Sequence, residues 1–275
     1  MRKYTSAARM PFWKWILCLL GGLLLFIVLY GLAQVAVDWP ESPWLGMAIS
    51  LVSALLGLLL YAIWTNLTER RPVSELTLKR TWADLGLGLL LGVCYFGIVV
   101  GLMALAKCYA ISGAQFQPVP QLEALLGFLL VAVFEEIIFR GILFRLIDDR
   151  WNTLLALIIS ALLFGAGHLA NPGATLWSTF AIALEAGLLL GAAYKFSGTL
   201  WLPIGIHWAW NYVQGNVLGF AVSGKPISDK IFSPVITGPD WITGGVFGAE
   251  ASVPAVVIGL LLTVILLFAR KRDVR

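Results

Sequence analysis

Charged residues are scarce in this chain. Asp, Glu, Lys and Arg make up 12% of its 275 residues, whereas 60% are hydrophobic. A soluble domain of this size carries about 25% charged residues, so a soluble globular protein is excluded. A disordered chain is excluded as well, because it would be polar and rich in charge. The remaining class is a polytopic membrane protein with little polar sequence between its spanning segments.

Cysteine and histidine are also few. The three cysteines are scattered, with no spacing typical of a zinc site or a disulfide framework, so we expect packing residues with free thiols. The only two histidines are His168 and His207. No repeat, low-complexity tract or soluble domain is visible, and we interpret residues 1–275 as a single integral membrane domain. The expected partners are the lipid bilayer and no nucleic acid, while the sequence leaves the oligomeric state open.

Long apolar windows are abundant and predict about eight transmembrane helices. They lie near residues 15–37, 44–65, 83–106, 122–146, 153–170, 175–195, 199–221 and 253–269. Residues 222–252 form the one long polar connection between them. Helices satisfy their own backbone hydrogen bonds in lipid, so the predicted fold is an all-α membrane helix bundle.

The basic residues predict the orientation of this bundle. Fifteen of the 19 Lys and Arg residues fall at one end of it: Arg2, Lys3, Arg9, Lys14, Arg70, Arg71, Lys79, Arg80, Arg145, Arg150, Lys195, Arg270, Lys271, Arg272 and Arg275. The other end has three, Lys107, Lys225 and Lys230, and Arg140 lies inside a span. Because cytoplasmic loops collect Lys and Arg, we expect a multi-pass cell-membrane protein with both termini in the cytoplasm.

A short list of polar residues falls inside the predicted spans, where each ionisable group costs roughly 2.5–3.5 kcal/mol on insertion scales. The list is Glu135, Glu136, Arg140, His168, Glu185, His207 and Asn211. Glu136 and Arg140 are four residues apart, so they share a helix face and can pair. Glu135 points about 100° away, which leaves it free to act as a general base. The alternative is that Glu135, Glu136 and Arg140 form a purely structural ion cluster.

The histidines suggest the rest of a site. His207 and Asn211 are also four apart, and a histidine with an amide on one face can bind a metal, a water or a developing oxyanion. The competing interpretation is that both histidines are hydrogen-bonded core residues. Glu185 stands alone beside Gly187 and Gly191, a small-residue spacing best explained by helix packing.

The motifs on these spans resemble those of a known family. Glu-Glu-x-x-x-Arg at 135–140, Phe-x-x-x-His at 164–168 and His-x-x-x-Asn at 207–211 occur in the order found in the CPBP family. These are the CAAX-protease and bacteriocin-processing (Abi) intramembrane proteases, which include the type 2 CAAX prenyl endopeptidases. Residues 198–207 and 244–250 resemble its bacterial branch. The likeness covers roughly residues 120–252, which would carry the catalytic core.

The resemblance implies an eight-helix protease and a role for each motif residue. Glu135 and His168 would activate a water, and Glu136 and Arg140 would organise the site. His207 and Asn211 would stabilise the oxyanion. At 248–250 the chain reads Gly-Ala-Glu where Gly-Pro-Glu is common in the family, a departure that concerns only the shape of a loop.

Metal dependence stays open at the level of sequence. The family is often described as metalloproteases, and His168, His207 and Glu135 could supply three zinc ligands. No His-Glu-x-x-His motif is present, however, and a metal-free site with Glu135 as general base fits the same residues.

We therefore predict an endopeptidase that hydrolyses a peptide bond of a membrane-associated protein or peptide. Two other classes compete with it: a catalytically silent immunity or chaperone-like partner, and a proton-coupled transporter, since buried Glu, Arg and His also mark proton relays. The sequence does not identify the substrate, any need for prenylation, or the membrane side from which substrates enter.

Overall fold

The fold is described from a computed structural model, which covers residues 10–39 and 41–269. The structure is 76% helical, so the predicted all-α class is confirmed. The α-helices are α1 Phe12–Asp38, α2 Pro43–Glu69, α3 Thr81–Leu105, α4 Pro118–Glu136, α5 Arg145–Arg150, α6 Thr153–Ala166, α7 Leu176–Ile182, α8 Leu188–Ser197, α9 Trp201–Tyr212, α10 Asp240–Thr243 and α11 Val253–Phe268. Three π-helical segments continue α4, α7 and α9: Ile137–Phe144, Ala183–Gly187 and Val213–Val217.

Four helical segments of the described chain are long and apolar enough to cross a membrane. They are Phe12–Asp38, Pro43–Glu69, Ser74–Leu105 and Leu176–Ser197. The predicted total of eight spans is therefore not confirmed. Helix α6 has 14 residues and α11 has 16, and both fall short of the about 20 residues that span a hydrocarbon core. The apolar window near 153–170 overestimated α6 because it included the apolar residues of the turn after Ala166.

A small two-stranded antiparallel sheet is an architectural feature that the periodicity did not predict. Strand β1 (Tyr109–Ala114) pairs antiparallel with β2 (Phe232–Ile236), and Tyr109 lies opposite Ile236. The strands come from two connections that are far apart in sequence. Their pairing shows that the connection after α3 and the long connection before α11 lie at the same end of the bundle, which we call the sheet end.

Close backbone contacts hold α9 against α3. A Cβ added to Gly88 would lie 2.4 Å from the carbonyl oxygen of Leu202, and one added to Gly92 would lie 2.6 Å from that of Ile206. Only glycine permits so close an approach of two helices. On the other side of α9, Trp208 donates its indole N–H to the carbonyl of Leu125 on α4 at 2.8 Å. Helix α9 is thereby fixed between α3 and α4.

Ion pairs join the connections at the opposite end, which we call the basic end. Arg145 donates to Glu69 at 2.8 Å, and Arg80 pairs with Asp84 at 2.8 Å. Lys195 pairs with Asp148 on α5. These contacts bring together basic residues that the charge count had assigned to one side. Seven more of that set lie outside the described residues: Arg2, Lys3, Arg9, Arg270, Lys271, Arg272 and Arg275.

Candidate active site

A cavity of about 440 Å³ brings four of the predicted site residues together. Its wall includes Glu135 of α4, His168 of the turn after α6, and both His207 and Asn211 of α9. The rest of the wall is mostly apolar, with side chains such as Phe128 and Ile138. The structure thus gathers these residues from three separate parts of the chain around one space.

Glu136 and Arg140 lie behind this wall rather than in it, and both side chains are fully buried. Glu136 Oε1 accepts a hydrogen bond from Arg140 Nη1 at 2.8 Å, so the pair expected from their spacing is formed. The same oxygen lies 2.9 Å from His207 Nδ1. One carboxylate oxygen therefore fixes both the arginine and the histidine ring, and the second contact crosses from α4 to α9.

The Arg140 guanidinium is further held by backbone and by an aromatic ring. Its Nη2 donates to the carbonyl oxygens of Ala186 at 3.3 Å and Gly187 at 3.2 Å. Its central carbon lies 4.6 Å from the centre of the Phe164 ring, which is within the range of a cation–π contact. Phe164 thus links the arginine to the segment that carries His168.

Glu135 faces the cavity, and its side chain is 15% exposed. Its Oε1 accepts a hydrogen bond from the hydroxyl of Tyr30 at 3.3 Å, and that hydroxyl accepts from Gln34 Nε2 at 3.0 Å. Its Oε2 has no hydrogen-bond partner among the described residues and lies 3.9 Å from His207 Nε2. That distance is too long for a direct hydrogen bond and suits a bridging water.

His168 lies just beyond the end of α6, and a backbone contact sets the orientation of its ring. Its Nδ1 is 2.8 Å from the carbonyl oxygen of Phe164. A carbonyl can only accept, so Nδ1 carries the hydrogen. In the neutral ring, Nε2 is then the acceptor. The side chain of His168 therefore offers a lone pair for chemistry.

Asn211 follows His207 by one helical turn on α9 and is 6% exposed. No hydrogen bond to its side chain is found within residues 10–39 and 41–269. Because it lines the cavity, its amide is available to a bound molecule. A π-helical segment starts two residues later, at Val213, and another starts at Ile137, directly after Glu136. Such segments often mark functional sites.

The described residues do not fit a metal centre with three protein ligands. No group of three His, Cys, Asp or Glu side chains converges in this part of the chain as a metal site requires. We therefore assign no step of the chemistry to a metal ion.

Four polar residues of the cavity wall were not predicted as site residues: Tyr30, Asn171, Ser223 and Lys225. Tyr30 gave no signal, because a tyrosine within an apolar run is typical of packing. The other three belong to connections, where polar residues are ordinary. Asn171 Nδ2 donates to the carbonyl oxygen of Ser223 at 2.9 Å and thereby joins the two connections across the cavity.

Glu250 lies near this junction, in the Gly-Ala-Glu stretch, and is buried. Burial raises the pKa of its carboxyl group, and this effect is opposed by hydrogen bonding to Ser223 and by the nearby His168.

Glu185 is fully buried and does not line the cavity. The hydroxyl of Tyr95 lies 2.8 Å from Glu185 Oε2 and 2.8 Å from the carbonyl oxygen of Ala255. One hydroxyl hydrogen cannot serve both acceptors, so a neutral Glu185 that donates to Tyr95 satisfies this arrangement best. A Cβ added to Gly259 would lie 2.8 Å from the Glu185 Cα. Glu185 thus sits at a close helix contact with α11, as the interpretation of helix packing expected.

The comparisons with known proteins agree with the segment that carries the site. The family model described as "Type II CAAX prenyl endopeptidase Rce1-like" matches residues 117–213. This range begins just before α4 and ends directly after α9, so it contains all six predicted site residues. None of the curated proteins matches the chain.

Proposed function

With residues 117–213 supporting assignment to the CPBP family of CAAX-type proteases, we propose that this chain is an intramembrane endopeptidase. One observation carries the proposal: Glu135, His168, His207 and Asn211 line a single cavity inside the helix bundle. A carboxylate, two imidazoles and an amide in one water-accessible space are the groups that peptide hydrolysis needs. The substrate class is a membrane-associated protein or peptide.

Glu135 is the general base in this proposal. A water bound between Glu135 Oε2 and His207 loses its proton to the carboxylate, and its oxygen adds to the carbonyl carbon of the substrate. His168 Nε2 accepts a second hydrogen bond from the water and orients it. The protonated Glu135 then donates to the nitrogen of the leaving amine as the C–N bond breaks. The products are a carboxylic acid and an amine, which become a carboxylate and an ammonium ion when the acid proton passes to the amine, and Glu135 returns to its ionised form.

His207 and Asn211 stabilise the oxyanion that forms on the carbonyl oxygen. The imidazolium form of His207 donates Nδ1–H to Glu136 and presents Nε2–H to the cavity. Charge balance supports this form, because the ionised Glu135 and Glu136 are then matched by Arg140 and His207. The amide of Asn211 supplies a second donor from the same face of α9.

Glu136 and Arg140 act as positioning residues. Their hydrogen bonds fix the ring of His207 in a buried, water-poor layer, where a preorganised donor is worth more than it would be in water. This contact also explains why the two adjacent glutamates differ in role. Glu135 lines the cavity, whereas Glu136 is buried behind its wall.

The test is peptide hydrolysis by the purified protein. We expect the wild type to cleave members of a mixture of internally quenched peptides, and Glu135→Gln and His168→Ala to lose this activity. Glu123→Gln is a matched control, because Glu123 is an exposed carboxylate of the same helix and does not line the cavity. Cleavage by Glu135→Gln at the wild-type rate would refute the proposal and favour a silent binding protein.

A further inference from the structure

The mouth of the catalytic cavity is built by connections at one end of the bundle. His168 and Asn171 come from the turn after α6, whereas Ser223, Lys225 and Ile227 come from the connection after α9. The two-stranded sheet lies at the same end, and its strand β2 belongs to that second connection. The residues of connections that line the cavity therefore all come from the end of the bundle that carries the two-stranded sheet, and helices α1, α4 and α9 supply the rest of the wall.

The bundle is closed between the cavity and the basic end. Arg140 and Phe144 are fully buried on the segment that continues α4. Below them, the hydroxyl of Tyr61 lies 2.9 Å from the carbonyl of Gly141. Arg145 is 6% exposed and paired with Glu69, which completes a sealed layer of polar contacts. Among the described residues, these buried contacts separate Glu135 from the basic end.

The distribution of Lys and Arg indicates which end of the bundle faces the cytoplasm. By their place in the chain, fifteen Lys and Arg residues belong to the basic end, which is the sealed one, and three belong to the sheet end. By the positive-inside rule the sealed end faces the cytoplasm. Resting on the proposed function, we propose that the cavity opens on the extracytoplasmic side and that the enzyme cuts protein segments or peptides displayed on that side of the membrane.

The depth of the site narrows the substrate further. Helix α1 ends at the sheet end of the bundle with Asp38, eight residues after Tyr30. The π-helical segment that continues α9 ends with Val217, six residues after Asn211. At 1.5 Å per residue these residues lie roughly 9–12 Å below the helix ends. An extended chain covers about 3.3 Å per residue, so roughly three to four residues must enter unfolded. The substrates are thus flexible tails or free peptides rather than folded loops.

Single-cysteine labelling tests the side of the opening. In the full chain with its three native cysteines replaced by alanine, Lys225→Cys and Ser228→Cys report on the mouth, and Lys79→Cys reports on the sealed end. All three positions are exposed. We expect a membrane-impermeant maleimide to label Lys225→Cys and Ser228→Cys in intact cells, and Lys79→Cys only after permeabilisation. The reverse pattern, or equal labelling of both ends, overturns the proposal.

A cleavage assay in oriented vesicles tests the side of the opening separately from the proposed protease activity. Sealed membrane vesicles of both orientations are given impermeant quenched peptides. Right-side-out vesicles should cleave them directly, and inverted vesicles only after detergent is added. Direct cleavage by inverted vesicles alone overturns the sidedness. If detergent-treated vesicles of either kind cleave no peptide, the proposed function fails, whereas the labelling pattern still decides which end faces outward.

Discussion

The hydroxyl of Tyr30 is the smallest group whose removal tests the geometry around the general base. Tyr30→Phe deletes the hydrogen bond to Glu135 Oε1 at 3.3 Å and leaves the ring stacked on Phe134, with 5.6 Å between the ring centres. Hydrogen bonds to charged groups contribute about 1.5–3 kcal/mol, and this one is at the long end of the distance range. We therefore expect a loss of about 1–2 kcal/mol in the transition state, which is roughly a 5–30-fold slower rate.

The assay for Tyr30→Phe is the initial rate of cleavage of a quenched peptide, with kcat and KM measured separately. The loss should appear in kcat, because the orientation of Glu135 matters when it takes the proton. Tyr109→Phe is the matched control: its hydroxyl donates to the carbonyl of Leu218 at 3.0 Å, and it does not line the cavity. Equal rates for Tyr30→Phe and the wild type would refute the role given to Tyr30.

Three further predictions follow from the packing and the ligand set. Arg140→Met removes the arginine from the buried carboxylate of Glu136, which keeps only its contact with His207. It should destabilise the protein by about 3–5 kcal/mol, read as a lower Tm in detergent; Arg140→Met combined with Glu136→Gln should recover much of this loss, and no recovery would contradict the pairing. Gly92→Ala places a Cβ 2.6 Å from the carbonyl of Ile206 and should lower both Tm and activity, whereas Gly97→Ala, with open space around it, should change neither; equal effects would contradict the close packing of α9. Activity should persist after treatment with a strong zinc chelator, and a loss that zinc restores would show that a metal takes part.

Local spacing predicted part of the site. The pair of Glu136 and Arg140 follows from helix periodicity alone, because four residues bring both side chains to one face. The contact of His207 with Glu136 joins residues 71 positions apart, so it depends on how α9 packs. That packing is set by the backbone contacts of Gly88 and Gly92, which periodicity does not reveal.

Other parts of the structure had no sequence signal. Tyr30 lies in an apolar helix, where a tyrosine is typical of packing, and only the fold places it beside Glu135. The two-stranded sheet joins two connections, and neither of its short strands has the length or periodicity to stand out. The predicted number of eight spans is not confirmed, because hydropathy windows continue through apolar turns and so do not give the length of each helix. In each case the missing information is a tertiary contact.

The central claim is that Glu135 activates a water for peptide hydrolysis, and comparison of protein termini in membranes tests it most directly. Cells that express the wild type or Glu135→Gln at equal levels are compared by mass spectrometry for peptide termini in the membrane fraction. We predict that a set of new termini appears only with the wild type, on flexible segments of membrane-associated proteins or peptides. Identical termini in the two membranes would contradict the account.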